Sequence, residues 1–224
     1  MKLNFKKITD SIKNTGIRKI LFCILGNTIL ALGVCFLRLA SLGNDPFNGM
    51  AMAIGDITVL SFATFVLLLN VALFVLELVF GKRFIGIGTF INWFLCPYAV
   101  TFFLWLFGKH IIGYPENFAV RLIILICGVL ITSFGLSIYQ TADIGIAPYD
   151  SLSLIMHEKF SKIPYFWCRM SNDAVCALVC FLCGGIINIG TLVSAFGLGP
   201  VIHFFNRTFV EKMINKNKPS IKKA

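Results

Sequence analysis

Long apolar runs separated by short polar connections dominate the pattern of this chain. A helix needs about 20 apolar residues, at 1.5 Å rise per residue, to cross roughly 30 Å of hydrocarbon. Six runs approach or exceed that length, at 20–40, 60–80, 84–107, 119–141, 164–185 and 188–206. The last two are interrupted by Arg169, Asp173 and several glycines. The pattern predicts an all-α polytopic membrane protein with about six transmembrane helices and little soluble mass.

The chain also matches itself, without a gap, when it is shifted by 102 positions. Between 19–94 and 121–196, 15 of 76 positions are identical. Several of the matched residues are ones that end a helix or place a polar group within it. They pair Gly26, Gly33, Ala40, Gly43, Pro46, Asn70 and Gly88-Thr89 with Gly128, Gly135, Ala142, Gly145, Pro148, Asn172 and Gly190-Thr191. In a membrane protein such a repeat indicates two homologous bundles with any binding site between them.

Each half reads as a span, a polar turn, a short helix and two further spans. We predict a first repeat at 18–108, a connection at 109–118 and a second repeat at 119–206. The short segments at 49–58 and 151–160 cannot cross the bilayer, and they are either re-entrant or interfacial. Three is an odd number of spans, so the second half enters the membrane in the opposite sense. The predicted architecture is therefore two inverted three-helix repeats.

Composition and charge placement sharpen this prediction. The chain has 58% hydrophobic residues, 13% charged residues and a net charge of +10. Of its 20 Lys and Arg residues, 17 lie toward one side, and only Arg38, Lys109 and Arg121 remain for the other. The positive-inside rule then puts the basic segments 1–17 and 207–224 in the cytoplasm. Because no folded nucleic-acid-binding module accompanies these charges, we expect the lipid bilayer, and no nucleic acid, as their partner.

The repeated turn carries the most specific pattern. It reads Leu42-Gly43-Asn44-Asp45-Pro46-Phe47-Asn48 in the first half and Ile144-Gly145-Ile146-Ala147-Pro148-Tyr149-Asp150 in the second. Glycine permits a sharp turn, proline stops the preceding helix, and Asn or Asp can cap the next one. With Gly88-Thr89 and Gly190-Thr191 opening later helices, the motif resembles the YczE-like and YitT-like integral membrane proteins of bacteria over roughly 18–206. The resemblance implies a small multi-span fold in the bacterial plasma membrane and no particular chemistry.

Polar residues inside the spans are the first candidates for function, since in lipid they must find partners or line water. Asn70 and Asn172 lie near the middle of their spans, and Asp173 follows Asn172 directly. The alternative for the asparagines is hydrogen bonding between helices. For Asp173 the alternative is an ion pair with Arg169, one helical turn earlier.

Polar residues at the ends of the spans form a second set of candidates. Arg38 and Asp45 are expected at the outer mouth and Asp150 at the inner mouth, although surface pairing and helix capping are common uses of such residues. Together with Asn70, Asn172 and Asp173, they are the predicted substrate-binding residues. The eight cysteines lie in or beside the spans. We expect them to pack as small hydrophobic residues and not to bind a metal.

No enzymatic signature is present in the sequence, and we expect no catalytic residues, metal or cofactor. The first hypothesis is a small secondary transporter or permease for a small solute or ion, with its site between the repeats. The second is a non-transporting accessory or regulatory membrane protein that acts through a partner. With three spans per half the bundle is small, which is compatible with a homodimer.

Overall fold

The computed structural model describes residues 16–58, 60–185, 187–206 and 208. The predicted basic segments 1–17 and 207–224 therefore lie almost entirely outside the described residues. Within the described ranges the ordered elements are all helical and no strand is present, as the sequence predicts.

Eight α-helices form the described part of the fold. They are α1 Ile17–Ala40, α2 Pro46–Ile57, α3 Phe62–Phe80, α4 Ile87–Phe103, α5 Phe118–Thr141, α6 Pro148–Lys159, α7 Tyr165–Leu182 and α8 Ile189–Phe205. A 3₁₀ turn at Lys82–Phe84 precedes α4, and a π-helical segment at Leu104–Ile111 continues it. The 102-residue shift therefore relates α1 to α5, α2 to α6, α3 to α7 and α4 to α8.

Four helices are long and apolar enough to cross a membrane: α1, α3, α4 with its π-helical continuation, and α5. They coincide with the first four predicted runs. The last two runs form α7 and α8, which do not meet the same criterion of length and apolarity. Arg169 and Asp173 interrupt the apolar character of α7, and α8, at 17 residues, is shorter than a typical span. The described helices thus supply four clear candidates for the six predicted spans.

The predicted glycine faces lie where α1 crosses α5. A Cβ added to Gly26 would lie 2.6 Å from the backbone nitrogen of Tyr139, and one added to Gly128 would lie 3.0 Å from the backbone nitrogen of Leu37. Positions rise along α1 as they fall along α5, so the two helices are antiparallel. Shifting either contact by 102 positions gives the other. Small residues thus allow two repeat-related helices to approach backbone to backbone.

Both glycine-proline turns are sharp. Gly43 has a φ of 103° and Gly145 a φ of 119°, a region that a side chain with a Cβ disfavours. The short helices begin at Pro46 and Pro148, three residues earlier than predicted. Proline is favoured at the first helical position, where its missing N–H has no partner to lose. Asp45 caps α2 with its side chain, the role that the motif suggests for Asn or Asp at such a turn.

Each turn is hydrogen-bonded to the other half of the chain. The backbone N–H of Gly88 donates to the carbonyl of Ile144 at 2.8 Å, and that of Gly190 donates to the carbonyl of Leu42 at 2.7 Å. These two bonds are also related by the 102-residue shift. The short helices also contact the opposite half, since α2 packs against α7 and α6 packs against α3. This exchange brings the beginnings of α2 and α6 together in the interior.

Candidate functional site

A cavity of about 80 Å³ lies between the two halves and is called the central cavity here. Its wall is built largely from repeat-related pairs, which include Val34 and Leu136, Phe47 and Tyr149, and Asn48 and Asp150. A cavity of this volume holds several water molecules, since one water needs roughly 10–15 Å³ by the same measure. The position is the one expected for a site between two homologous bundles.

Phe47 and Tyr149 mark the centre of this arrangement. Their rings stack with centroids 4.3 Å apart and an interplanar angle of 25°. Each is the second residue of its short helix, so the helix N-termini of the two halves meet at the cavity. Helix N-termini carry partial positive charge, which stabilises the carboxylates of Asp45 and Asp150 beside them.

Asp150 is held by two partners from different helices. It is 6% exposed, and its carboxylate accepts hydrogen bonds from the Tyr139 hydroxyl and the Arg169 guanidinium. Tyr139 on α5 is fully buried, and Arg169 on α7 is half-buried. A buried carboxylate keeps its charge only when such partners replace water. Tyr139 is not among the predicted site residues, because its partner follows eleven residues later, across a turn.

Asp173 shares the same guanidinium. Its Oδ2 lies 3.6 Å from Nε of Arg169, and its Oδ1 accepts a hydrogen bond from the Tyr149 hydroxyl. The Arg169 guanidinium also lies 5.0 Å from the centroid of the Tyr149 ring. The ion pair predicted as the alternative for Asp173 is therefore present, and it belongs to a network that also includes Asp150.

Asp45 lies in the central cavity rather than beside Arg38. Its carboxylate accepts hydrogen bonds from the Asn48 side-chain amide at 3.1 and 2.9 Å and from the Asn48 backbone at 3.1 Å. The sequence expectation put Asp45 and Asp150 at opposite mouths, whereas both line one cavity. The reason is that each turn leads directly into a helix whose first residues face the interior.

Arg38 lies away from the central cavity. Its guanidinium is 3.6 Å from the carboxylate of Asp56, and the two side chains are 35% and 69% exposed. It lines a separate surface cavity of about 270 Å³ together with Asp56 and Tyr114. The predicted mouth residue Arg38 is thus a partly exposed residue of a different depression.

The two midspan asparagines differ in their surroundings. Asn70 is 4% exposed, lines the central cavity, and forms no side-chain hydrogen bond with the described residues. Asn172 instead donates to the Ser153 hydroxyl at 2.9 Å and does not line that cavity. The repeat-related position of Ser153 is Ala51, which has no hydroxyl group to accept a bond. Asn70 is therefore left with its amide available at the cavity wall.

A second cavity of about 420 Å³, called the vestibule here, lies beside α5, α7 and α8. Its polar wall residues are Gln140, Arg169, Asp173, Ser194 and Asn206. It shares Leu136, Arg169 and Leu198 with the central cavity, so these three side chains separate the two spaces. The hydroxyl of Ser194 is buried and has no hydrogen-bond partner among the described residues.

In the first half, the position equivalent to one vestibule wall residue is occupied by Trp93. Its indole N–H donates to the carbonyl of Leu67 at 3.1 Å, and its ring lies 5.3 Å from that of Phe74. The repeat-related residue of Trp93 is Ala195, which lines the vestibule. The substitution of alanine for tryptophan accounts for much of the asymmetry between the halves, because a methyl group leaves most of an indole volume empty.

Two further asparagines and two of the cysteines have structural surroundings. Asn92 donates to the Asn27 side-chain oxygen, and Asn27 donates to the Cys23 carbonyl at 2.9 Å, which links α1 to α4. Cys176 and Cys180 are free and buried in an apolar cluster with Met50. Among the described residues, no group of His, Cys, Asp and Glu has the arrangement of a metal site.

Comparisons with known proteins extend these observations. An uncharacterized protein of Haemophilus influenzae is 27% identical over 178 residues, which cover 80% of this chain and 78% of that protein. Uncharacterized protein YyaS of Bacillus subtilis is 24% identical over 200 residues, covering 89% and 98%. Uncharacterized membrane protein YczE of Bacillus subtilis is 23% identical over 184 residues, covering 82% and 83%. No solved structure gives a significant match.

The match to YczE confirms the resemblance inferred from the turn motif. Together with the four long apolar helices, it supports the assignment as a membrane protein. The model of a family of unknown function, DUF6198, matches residues 17–207, which include both turns and all eight described helices. The chain belongs to the family of unknown function DUF6198.

Proposed function

We propose that the protein is a small secondary transporter or permease of the bacterial plasma membrane, with its solute site in the central cavity. The observation that carries the proposal is the wall of this cavity, which repeat-related residues build around buried polar groups. Transporters made of inverted repeats bind their solutes at this position, where broken helices meet near the midplane. A purely structural core has no comparable need for Asp45, Asp150 and an unpaired Asn70.

The proposal includes an inverted relation between the two halves, each with three spans. The antiparallel contact of α1 with its repeat partner α5 supports it, since a parallel duplication would place these helices in the same sense. The backbone hydrogen bonds between each turn and the other half also support the inverted relation. In this arrangement α2 and α6 are re-entrant helices whose N-termini face the solute. The excess of basic residues on one side places both termini in the cytoplasm.

The predicted residues take different roles in this proposal. Asp45, Asn70 and Asp150 face the solute, while Asp173 positions Arg169 at the wall that separates the cavity from the vestibule. Asn172 stabilises the contact of α7 with α6 and acts on the site indirectly. Arg38 belongs to the outer surface, where it orients Asp56. The vestibule is the path from the central cavity to the cytoplasm.

Uptake into proteoliposomes tests this function. We expect the purified protein to support saturable uptake of at least one member of a panel of cationic, neutral and anionic small solutes. The control is a liposome prepared in the same way without protein. Absence of uptake of every solute by well-folded protein contradicts the proposal.

The accessory hypothesis predicts that the protein is purified together with a partner and shows no uptake by itself. A protein that acts through a partner retains that partner after crosslinking in the native membrane and purification. Recovery of a stoichiometric partner, together with an unchanged phenotype of Asp45→Asn cells, favours the accessory function. Saturable uptake by the isolated protein favours transport.

A further inference from the structure

The charges around the central cavity do not balance. Three carboxylates, of Asp45, Asp150 and Asp173, lie at the walls of the cavity and the vestibule. Among the described residues that line these two spaces, Arg169 is the single Lys or Arg. It contacts Asp150 and Asp173, whereas no described salt bridge includes Asp45. Ionised, these groups leave two negative charges in excess, one at the Asp150–Asp173 pair that shares Arg169 and one at Asp45.

Helix capping does not explain why position 45 carries a charge. An asparagine caps a helix N-terminus about as well as an aspartate does. The repeat-related helix α6 begins after Ala147 with no side-chain cap at all. Asp45 is half-buried, and a cation stabilises an ionised carboxylate that is partly removed from water. The Asp45 carboxylate therefore has no ion-pair partner among the described residues, and Arg169, which acts on it electrostatically, is already shared by Asp150 and Asp173.

Asn70 supplies a second and independent sign of a ligand. The residue is 4% exposed and lines the same cavity, and its side chain forms no hydrogen bond with the described residues. A buried amide without a partner costs about 1–3 kcal/mol. Its carbonyl oxygen would be satisfied by an N–H donor that occupies the cavity.

The rest of the wall favours an organic ion over a hydrated metal ion. Val34, Phe62 and Leu136 present apolar surface, and Phe47 and Tyr149 present aromatic groups. Apolar walls favour alkyl substituents over water. The volume of about 80 Å³ limits the ligand to a few non-hydrogen atoms.

We propose that the central cavity binds a small organic ammonium ion, with the Asp45 carboxylate as its counter-charge and the Asn70 carbonyl as an acceptor for its N–H group. This proposal rests on the proposed function and names the class of solute. The Arg169 network closes the cavity on the vestibule side, so release toward the vestibule requires Arg169 to move.

The test measures binding first and uptake second. Methylammonium, dimethylammonium and tetramethylammonium chlorides are titrated against purified protein, and thermal stabilisation is compared with that by sodium chloride at equal ionic strength. We expect stabilisation by an ammonium ion beyond that by sodium, and an affinity at least about tenfold weaker in Asp45→Asn, since one charge-assisted contact is lost. The exposed acid Glu116 provides the control variant Glu116→Gln, which is expected to bind as the wild type does.

Other outcomes overturn the proposal. Equal stabilisation by sodium and by every ammonium ion does so, as does wild-type affinity in Asp45→Asn. Where Asp45→Asn does not fold, Asn70→Val replaces it, with the same expected loss of affinity. Uptake of a neutral or anionic solute without ammonium binding overturns this inference and leaves the transport function standing. Ammonium binding without any uptake overturns transport alone.

Discussion

Replacing Arg169 by methionine is expected to abolish uptake and to lower the free energy of unfolding by about 3–5 kcal/mol. The guanidinium is the cationic partner of Asp150, which is 6% exposed, and its Nε lies 3.6 Å from Asp173. Methionine retains much of the side-chain volume but leaves both carboxylates without a cation. Unfolding in a denaturing detergent gives the stability, and proteoliposome uptake gives the activity.

Two further variants separate charge from packing. Arg83→Met removes an arginine that is 67% exposed, and we expect a change in stability below about 1 kcal/mol. Adding Asp150→Asn to Arg169→Met removes one of the carboxylates left without a cationic partner. We expect part of the stability to return while uptake stays absent. A stability of Arg169→Met equal to that of Arg83→Met would show that the network does not support the fold.

Gly135→Leu is expected to prevent the close approach of α5 to α1. A Cβ at position 135 would lie 2.4 Å from the backbone nitrogen of Leu30 and 2.7 Å from its Cα. Because both atoms belong to the backbone, no change of rotamer relieves the overlap. We expect a loss of at least about 3 kcal/mol, or the absence of monodisperse protein on size-exclusion chromatography.

Gly197→Leu is the matched control on α8. The nearest atom to a Cβ at Gly197 is a methyl group of Val193 at 3.8 Å, which is an ordinary contact. This variant should fold, and the removal of a helical glycine should itself be neutral or slightly stabilising. Similar behaviour of Gly135→Leu and Gly197→Leu would contradict the tight α1–α5 crossing.

Local patterns were sufficient to predict much of the fold. The apolar runs predict the four long helices because length and hydrophobicity act along one helix. The glycines and prolines predict the sharp turns because their backbone preferences act within a few residues. The 102-residue shift also predicts that Gly26 and Gly128 belong to corresponding surfaces, which the α1–α5 contact shows.

The membership of the site depends on tertiary contacts that local patterns do not contain. Asp45 and Asp150 meet because the short helices exchange between halves, and the sequence does not show which helix each one contacts. Asn70 and Asn172 look equivalent in the repeat, yet only Asn172 has a serine hydroxyl opposite it. The Trp93 and Ala195 pair could have been found by comparing residue volumes between the repeats.

If solute crosses through the space between the halves, a bulky side chain in the vestibule should block uptake, and Ala195→Trp introduces one. The vestibule of about 420 Å³ can accept an indole, as the first half does at Trp93. Leu192→Trp, on the same helix with a side chain that is 59% exposed, is the matched control. We expect both variants to fold. Leu192→Trp should transport as the wild type does, whereas Ala195→Trp should lose at least about 90% of uptake, which corresponds to an increase of roughly 1.4 kcal/mol in the barrier. Wild-type uptake by a folded Ala195→Trp protein would contradict the proposed path.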